Sequence, residues 1–221
     1  TYRNVGKLYS NYGRMDGSLM ATTTPNYGWP VPTSTDYVKD GALSIETLGD
    51  AIDATVFGLG SSGLTLIKTQ TIGTTVASVA VTSAFSATYD NYKILISGGV
   101  ESGGANLGLK LGATATGYYA GYMETAYNSG TVAGSANNNA TSWSFIGYGS
   151  SLGLSFNVDL INPFLTNTTL MTSLNPIPLT AGSGRFGGGM LNNSTSYTDF
   201  TITPSSGTLT GGTIYVYGYN K

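Results

Sequence analysis

Five carboxylates stand in the β-rich part of the chain: Asp90, Glu101, Glu124, Asp159 and Asp199. Two of them held several ångströms apart across a groove would suffice for acid-base cleavage of a glycosidic bond. Asp159 alternates with the apolar residues of SLGLSFNVDL and so takes the wet side of a strand, while Asp90 lies in TYDNY, where an Asp shapes a turn. That leaves Glu101 and Glu124, which no spacing rule pairs. A second motif, Gly182-x-Gly184-x-x-Gly187, spells a dinucleotide fingerprint, whose glycines must follow a strand and open a helix. PIPLTA precedes and GGMLNNSTS, a poor helix former, follows, so the run reads as a glycine-rich loop at a tip.

The rest of the composition removes whole classes of chemistry. Without Cys or His the 221 residues offer no disulfide, no thiolate or imidazole metal site and no Ser-His or Cys-His nucleophile pair. A net charge of −2 gives no basic field for phosphates, so nucleic acid is not an expected partner. No run approaches the roughly 18 apolar residues of a membrane span, and TYRNVGKLYSNYGRMDG lacks the apolar block of a signal peptide. Charged residues make up 9% of the chain, against roughly 25% in ordinary domains; the expected surface is neutral and rich in hydroxyls.

Such a surface suits sugars, which flat rings bind through their apolar faces while amides and hydroxyls bond the ring oxygens. Tyr118, Tyr119 and Tyr122 in GYYAGYM, Tyr127 in AYNSG and Trp143 after NNNATS stand in expected loops and edges and are the candidate glycan contacts. The competing expectation for each is a ring that fills the core or a subunit interface.

The elements that would position these residues follow from periodicity. TPNYGWPVPTSTD sets Pro25, Pro30 and Pro32 around Tyr27 and Trp29, and its prolines predict an extended leader suited to docking. In LSIETLGDAIDATVFGL, Ile45, Leu48, Ile52 and Leu59 form one narrow helical stripe, with Thr55 at the intervening heptad position. So short a stripe, weakened by Gly49, associates only where a neighbouring domain already gathers copies. After GLGSSG the period changes to two. Leu152, Leu154, Phe156, Val158 and Leu160 share a face, as do Leu107, Leu109 and Leu111, Tyr92, Ile94 and Ile96, Phe200 and Ile202, and Ile214 and Val216. With LTLIKTQ, TVASVAVT, GYYAGYM, TSWSFIGY and TTLMTSL added, on the order of ten strands are expected, a number that suits an antiparallel sandwich or jelly roll. The expected fold is all-β: an extended arm over 1–42, a short coiled-coil helix over 43–60 and a jelly-roll-like β-sandwich head over 61–221. The terminal strand is expected to pair inside its sheet.

Three segments carry a family resemblance. MATTTPNYGWPVPTSTDYVKDGALSIETLGDAID resembles the opening of tailed-bacteriophage minor tail or tail-fibre proteins, and FSATYDNYKILISG and SYTDFTITPSSGTLTGGTIYVYGYNK resemble their C-terminal β domain. Chains of that class often begin near the residue matching Met20, leaving residues 1–19 either part of the usual module or an extra arm. The resemblance implies a virion appendage: an N-terminal anchor on other tail, baseplate or neck proteins, a homotrimeric helix and a head that contacts the host surface, with no cofactor and no membrane insertion. Pro25, Tyr27, Trp29 and Pro30 become the anchor candidates, and Ile45, Leu48, Ile52 and Leu59 the trimer seam. The rival expectations are a purely structural neck or capsid fibre and a glycan-degrading tailspike.

Overall fold

The computed structural model describes residues 22–33, 37, 40–59 and 63–221. The expected arm at 1–19 lies outside the described residues, as does the side chain of Leu59. The chain divides into two compact units, one up to residue 60 and one from residue 61. No helix among the described residues is long and apolar enough to cross a membrane.

In the first unit the proline-aromatic leader folds back on itself rather than running on extended. Strand β1 (Thr22–Thr23) pairs antiparallel with β2 (Pro30–Val31), and helix α1 follows at Gly41–Leu59. Inside the hairpin Gly28 takes φ +67°, a left-handed geometry that suits glycine. Its N–H donates to Thr24 C=O at 3.0 Å, and Thr24 N–H donates to Trp29 C=O at 2.9 Å. The prolines sit where no ladder donor is missed, and the glycine between them permits the reversal.

The second unit is an antiparallel β-sandwich. In spatial order its larger sheet contains β3 (Leu64–Thr71), β16 (Thr213–Tyr219), β5 (Asn91–Ser97), β11 (Gly153–Ile161), β12 (Thr169–Pro176), β13 (Ser183–Leu191), β8 (Tyr118–Ala126) and β9 (Val132–Ala140). The smaller sheet runs β4 (Val79–Val81), β14 (Phe200–Pro204), β7 (Ala105–Leu111), β10 (Trp143–Ser150) and again β11. A two-residue ribbon, β6 (Val100–Glu101) with β15 (Leu209–Thr210), stands apart. The terminal strand β16 is interior, between β3 and β5.

β11 belongs to both sheets. Gly153 to Phe156 pair with β10, while Asn157 to Ile161 pair with β5 and Val158 to Ile161 with β12. Where the sheets part, two backbone groups need partners. Asn175 of β12, fully buried, supplies both: its Oδ1 accepts Asn157 N–H at 2.6 Å and its Nδ2 donates to Ile146 C=O at 2.6 Å.

The period-two residues meet in one core. Tyr92, Ile94, Val158, Leu160, Ile214 and Val216 come from the larger sheet, facing Leu107, Leu109, Leu111, Ile146, Phe200 and Ile202 from the smaller. Leu152 departs from its expected place: it sits in the turn before β11 and is 69% exposed. TVASVAVT yields only the three residues of β4. The strand estimate was low because β9 and β13 carry no apolar alternation; VAGSANNNA and SGRFGGGML are strands all the same. The G-x-G-x-x-G run is therefore not a loop tip, since Gly184 and Gly187 lie inside a nine-residue ladder with β8.

Candidate functional site

β8 and β13 are paired with Glu124 opposite Arg185 and Ala126 opposite Ser183. Side chains alternate across a sheet, so Glu124 and Arg185 share the face that carries Tyr118 and Tyr122 into the sandwich. The Arg185 guanidinium is almost wholly buried and bonded through all three nitrogens. Its Nε and Nη2 donate to Glu124 Oε2 at 3.0 and 2.7 Å, Nη1 donates to Asn106 Oδ1 at 2.7 Å, and its centre lies 5.6 Å from the middle of the Phe145 ring. Ser183 Oγ adds a 3.4 Å contact to the same carboxylate oxygen, leaving Oε1 without a hydrogen bond among the described residues. A guanidinium so deeply placed is tolerable because each of its three nitrogens finds a partner and a carboxylate balances its charge.

Beside this pair opens a cleft of about 280 Å³, walled by Glu124, Arg185, Ser183, Tyr148, Thr131 and Leu179. That volume stands at the small end of ligand sites and suits one compact ring. Tyr127, 52% exposed, is next to the cleft: it follows the lining residue Ala126, and its N–H donates to the C=O of the lining residue Gly182 at 2.9 Å. A Cβ at Gly182 would come within 2.4 Å of Ile177 O and 3.1 Å of the Tyr127 ring. Glycine here lets the rim loop and the aromatic close over the end of β13.

The five candidate aromatics separate sharply. Tyr118 and Trp143 are fully buried, edge to face with centroids 5.1 Å apart. Tyr118 Oη accepts Leu111 N–H at 2.8 Å, and Trp143 Nε1 donates to Tyr119 C=O at 3.3 Å. Tyr122 is 5% exposed and donates to Asn137 Oδ1 at 3.0 Å. Burial pushes the phenols of Tyr118 and Tyr122 well above the usual range. These three are core, not glycan contacts: GYYAGYM forms a strand, as its pattern allowed, and positions 118 and 122 fall on its inward side. Tyr119 is half-buried on the opposite face, and Tyr127 is exposed beside Gly182, a residue of the cleft lining.

The carboxylates are likewise dispersed. Glu101 is 1% exposed; its Oε2 accepts the N–H groups of Gly103, at 2.9 Å, and Gly104, so it caps a turn. Asp159 pairs with Lys93 at 3.2 Å and Asp90 with Lys221 at 2.9 Å. Among the described residues, Glu124 is the one carboxylate lining the cleft.

Among the anchor candidates, Tyr27 is 60% exposed and stacks on Trp29 with centroids 5.1 Å apart. Trp29 turns toward its own helix, donating its indole N–H to Thr55 Oγ1 at 3.0 Å. Pro25 is exposed in the hairpin turn, whereas Pro30 is half-buried in β2. Along α1, Leu48 and Ile52 are half-buried while Ile45 is 65% exposed. At 100° per residue, Thr55 and its indole flank one side of that stripe, and Ile45 with the exposed Val56 the other.

Comparison of the chain with models of known protein families, with curated proteins and with solved structures finds no match.

Proposed function

We propose that the chain is a non-enzymatic bacteriophage virion protein, a trimeric tail or neck fibre that binds a neutral host-surface glycan through the cleft beside Tyr127. The observation that carries the glycan reading is an exposed aromatic ring, Tyr127, next to the lining residues Ala126 and Gly182 of a cleft of about 280 Å³ that mixes apolar walls with Glu124, Thr131 and Ser183, in a chain of net charge −2. The ring would stack on a pyranose face; Thr131, Ser183 and the spare oxygen of Glu124 would bond its hydroxyls. The virion reading is supported by the resemblance of PNYGWPVP and the two β segments to tail-fibre proteins, with the Tyr27 hairpin as the anchor. Weak single-site binding multiplied over three heads gives useful avidity.

A glycan-degrading tailspike needs a second carboxylate beside Glu124, and the cleft lining supplies none. A purely structural fibre is favoured by a different feature, the broad apolar outer face of the larger sheet. An array of bacterial surface glycans separates the two readings. Wild-type chain is expected to retain a hexose-containing glycan, and Tyr127→Ala to lose it with an unchanged unfolding midpoint. A wild type that retains no glycan sinks the recognition reading and leaves the structural one.

A further inference from the structure

Two rows of side chains cross β13, β8 and β9 on the face that floors the cleft. Register sets Arg185, Glu124 and Ala133 side by side in the first row. Two residues along, Ser183 stands opposite Ala126. Ala126 N–H donates to Thr131 C=O at 3.0 Å, which carries the second row on to Thr131, the residue before β9. Strand alternation turns both rows to the same side, and every member of them lines the cleft.

Two polar atoms in these rows have hydrogen-bonding capacity left over. Glu124 commits Oε2 to Arg185 and Ser183, while Oε1 has no hydrogen bond among the described residues and the side chain stays 29% exposed. Thr131 Oγ1 accepts the Ser129 hydroxyl at 2.8 Å and so keeps its own proton to donate. An acceptor and a donor thus stand at diagonal positions of adjacent strands, about 7 Å apart, with the methyl groups of Ala126 and Ala133 at the other two corners. The turn from β12 to β13 adds Ile177 and Leu179 to the lining. That turn is fixed by Ile177 N–H donating to Ser183 C=O at 2.7 Å and Gly182 N–H donating to Leu179 C=O at 3.0 Å.

We propose that the sugar this cleft selects is an N-acetylated amino sugar; the inference rests on the glycan reading above and names the substituent that is recognised. An acetamido group carries one N–H, one C=O and one methyl on a single plane. Its N–H donates to Glu124 Oε1, its carbonyl accepts the Thr131 hydroxyl, and its methyl lies against Leu179 and the alanines, leaving the ring to stack on Tyr127. Each competing substituent leaves one of these features without a partner. A plain hydroxyl bonds Glu124 but brings no methyl to the apolar wall. A free ammonium satisfies the carboxylate, yet it offers Thr131 no acceptor, and the neighbouring Arg185 charge repels it. A uronic carboxylate meets Glu124 Oε1 as a like charge.

Surface plasmon resonance of the full chain on polymer-displayed N-acetylglucosamine, N-acetylgalactosamine, glucose, galactose and glucosamine tests this. At least one acetamido sugar is expected to bind roughly tenfold tighter than its parent hexose, the gain from one buried methyl and one further hydrogen bond. In saturation-transfer NMR its acetyl methyl should take the strongest signal from the protein. Thr131→Val and Leu179→Ser change exposed side chains, so both variants should keep the wild-type unfolding midpoint. Each should bring the acetamido sugar down toward its parent hexose while leaving the hexose unchanged. Hexoses that bind as tightly as their acetamido forms, and are lost in Tyr127→Ala, overturn the acetamido inference and leave the neutral-glycan reading standing. Glucosamine bound tightest overturns it in favour of a cation site at Glu124. A chain that retains none of the sugars sinks the glycan reading and this inference with it.

Discussion

The two faces of the β8–β13 ribbon use glycine for opposite reasons. On the inward face, Gly187 makes room for a ring: a Cβ there would stand 2.3 Å from Tyr122 Cδ1. At Gly189 it would stand 2.3 Å from Tyr119 O. On the outward face, Gly121 and Gly188 border open space. One strand of SGRFGGGML thus serves a finished core on one side and an uncovered surface on the other. The lesson is that a glycine run has no single meaning; the neighbour that would meet the missing Cβ assigns it.

The contrast can be broken most forcefully from the core side. Trp143→Ala removes a fully buried indole that packs on Tyr118, and chemical denaturation is expected to register a loss of about 4 kcal/mol. Leu174→Ala, on the exposed face, should cost less than about 0.5 kcal/mol at concentrations where the chain is dissociated. Next in size, Gly189→Ala should cost about 2 kcal/mol through overpacking against backbone. Gly188→Ala should be neutral or slightly stabilising. Equal losses at the two glycines would erase the distinction between the faces.

The smallest expected effect is alkaline. Burial raises the phenols of Tyr118 and Tyr122, and burial with the bond to Asp159 pushes Tyr219 up to about 12. An unfolded tyrosine ionises near pH 10. The folded state therefore holds these protons more tightly, and the stability this contributes is complete below about pH 10 and declines above it as the unfolded state deprotonates first. For Tyr219 the decline runs from pH 10 to about 12. Denaturation midpoints measured across that range should fall, and Tyr219→Phe should flatten the outward-face share while leaving that of the two core tyrosines.

Much of the sandwich was legible because period two reports burial directly. Leu107, Leu109 and Leu111, Phe200 and Ile202, and Ile214 and Val216 were each read as one face, and each lies in the core. The helix came within two residues of its start, at Gly41 rather than Leu43. Illegible were the elements whose identity depends on neighbours. β13 reads as a loop because glycine is a turn signal locally; it becomes a strand because β12 and β8 supply ladders on both sides. β9, at the sheet edge, is polar enough to pass for a linker. The leader's prolines promised extension, but Gly28 and the indole bond to Thr55 fold it onto its helix.

The cleft divides in the same way. Tyr127 could be singled out from its type and turn context, but the Arg185–Glu124 pair joins residues 61 positions apart, and only strand register brings them together.

By itself, then, the sequence determined that the chain has no thiol or imidazole to use and which side of most apolar strands seeks the core, because residue type and period act locally. The tertiary structure decided which tyrosines are core and which stand at a cleft, which carboxylate meets an arginine, and which glycines are crowded. Those outcomes are set by the registry between strands, and registry is fixed by the summed burial and hydrogen bonding of the whole sheet rather than by any segment of it.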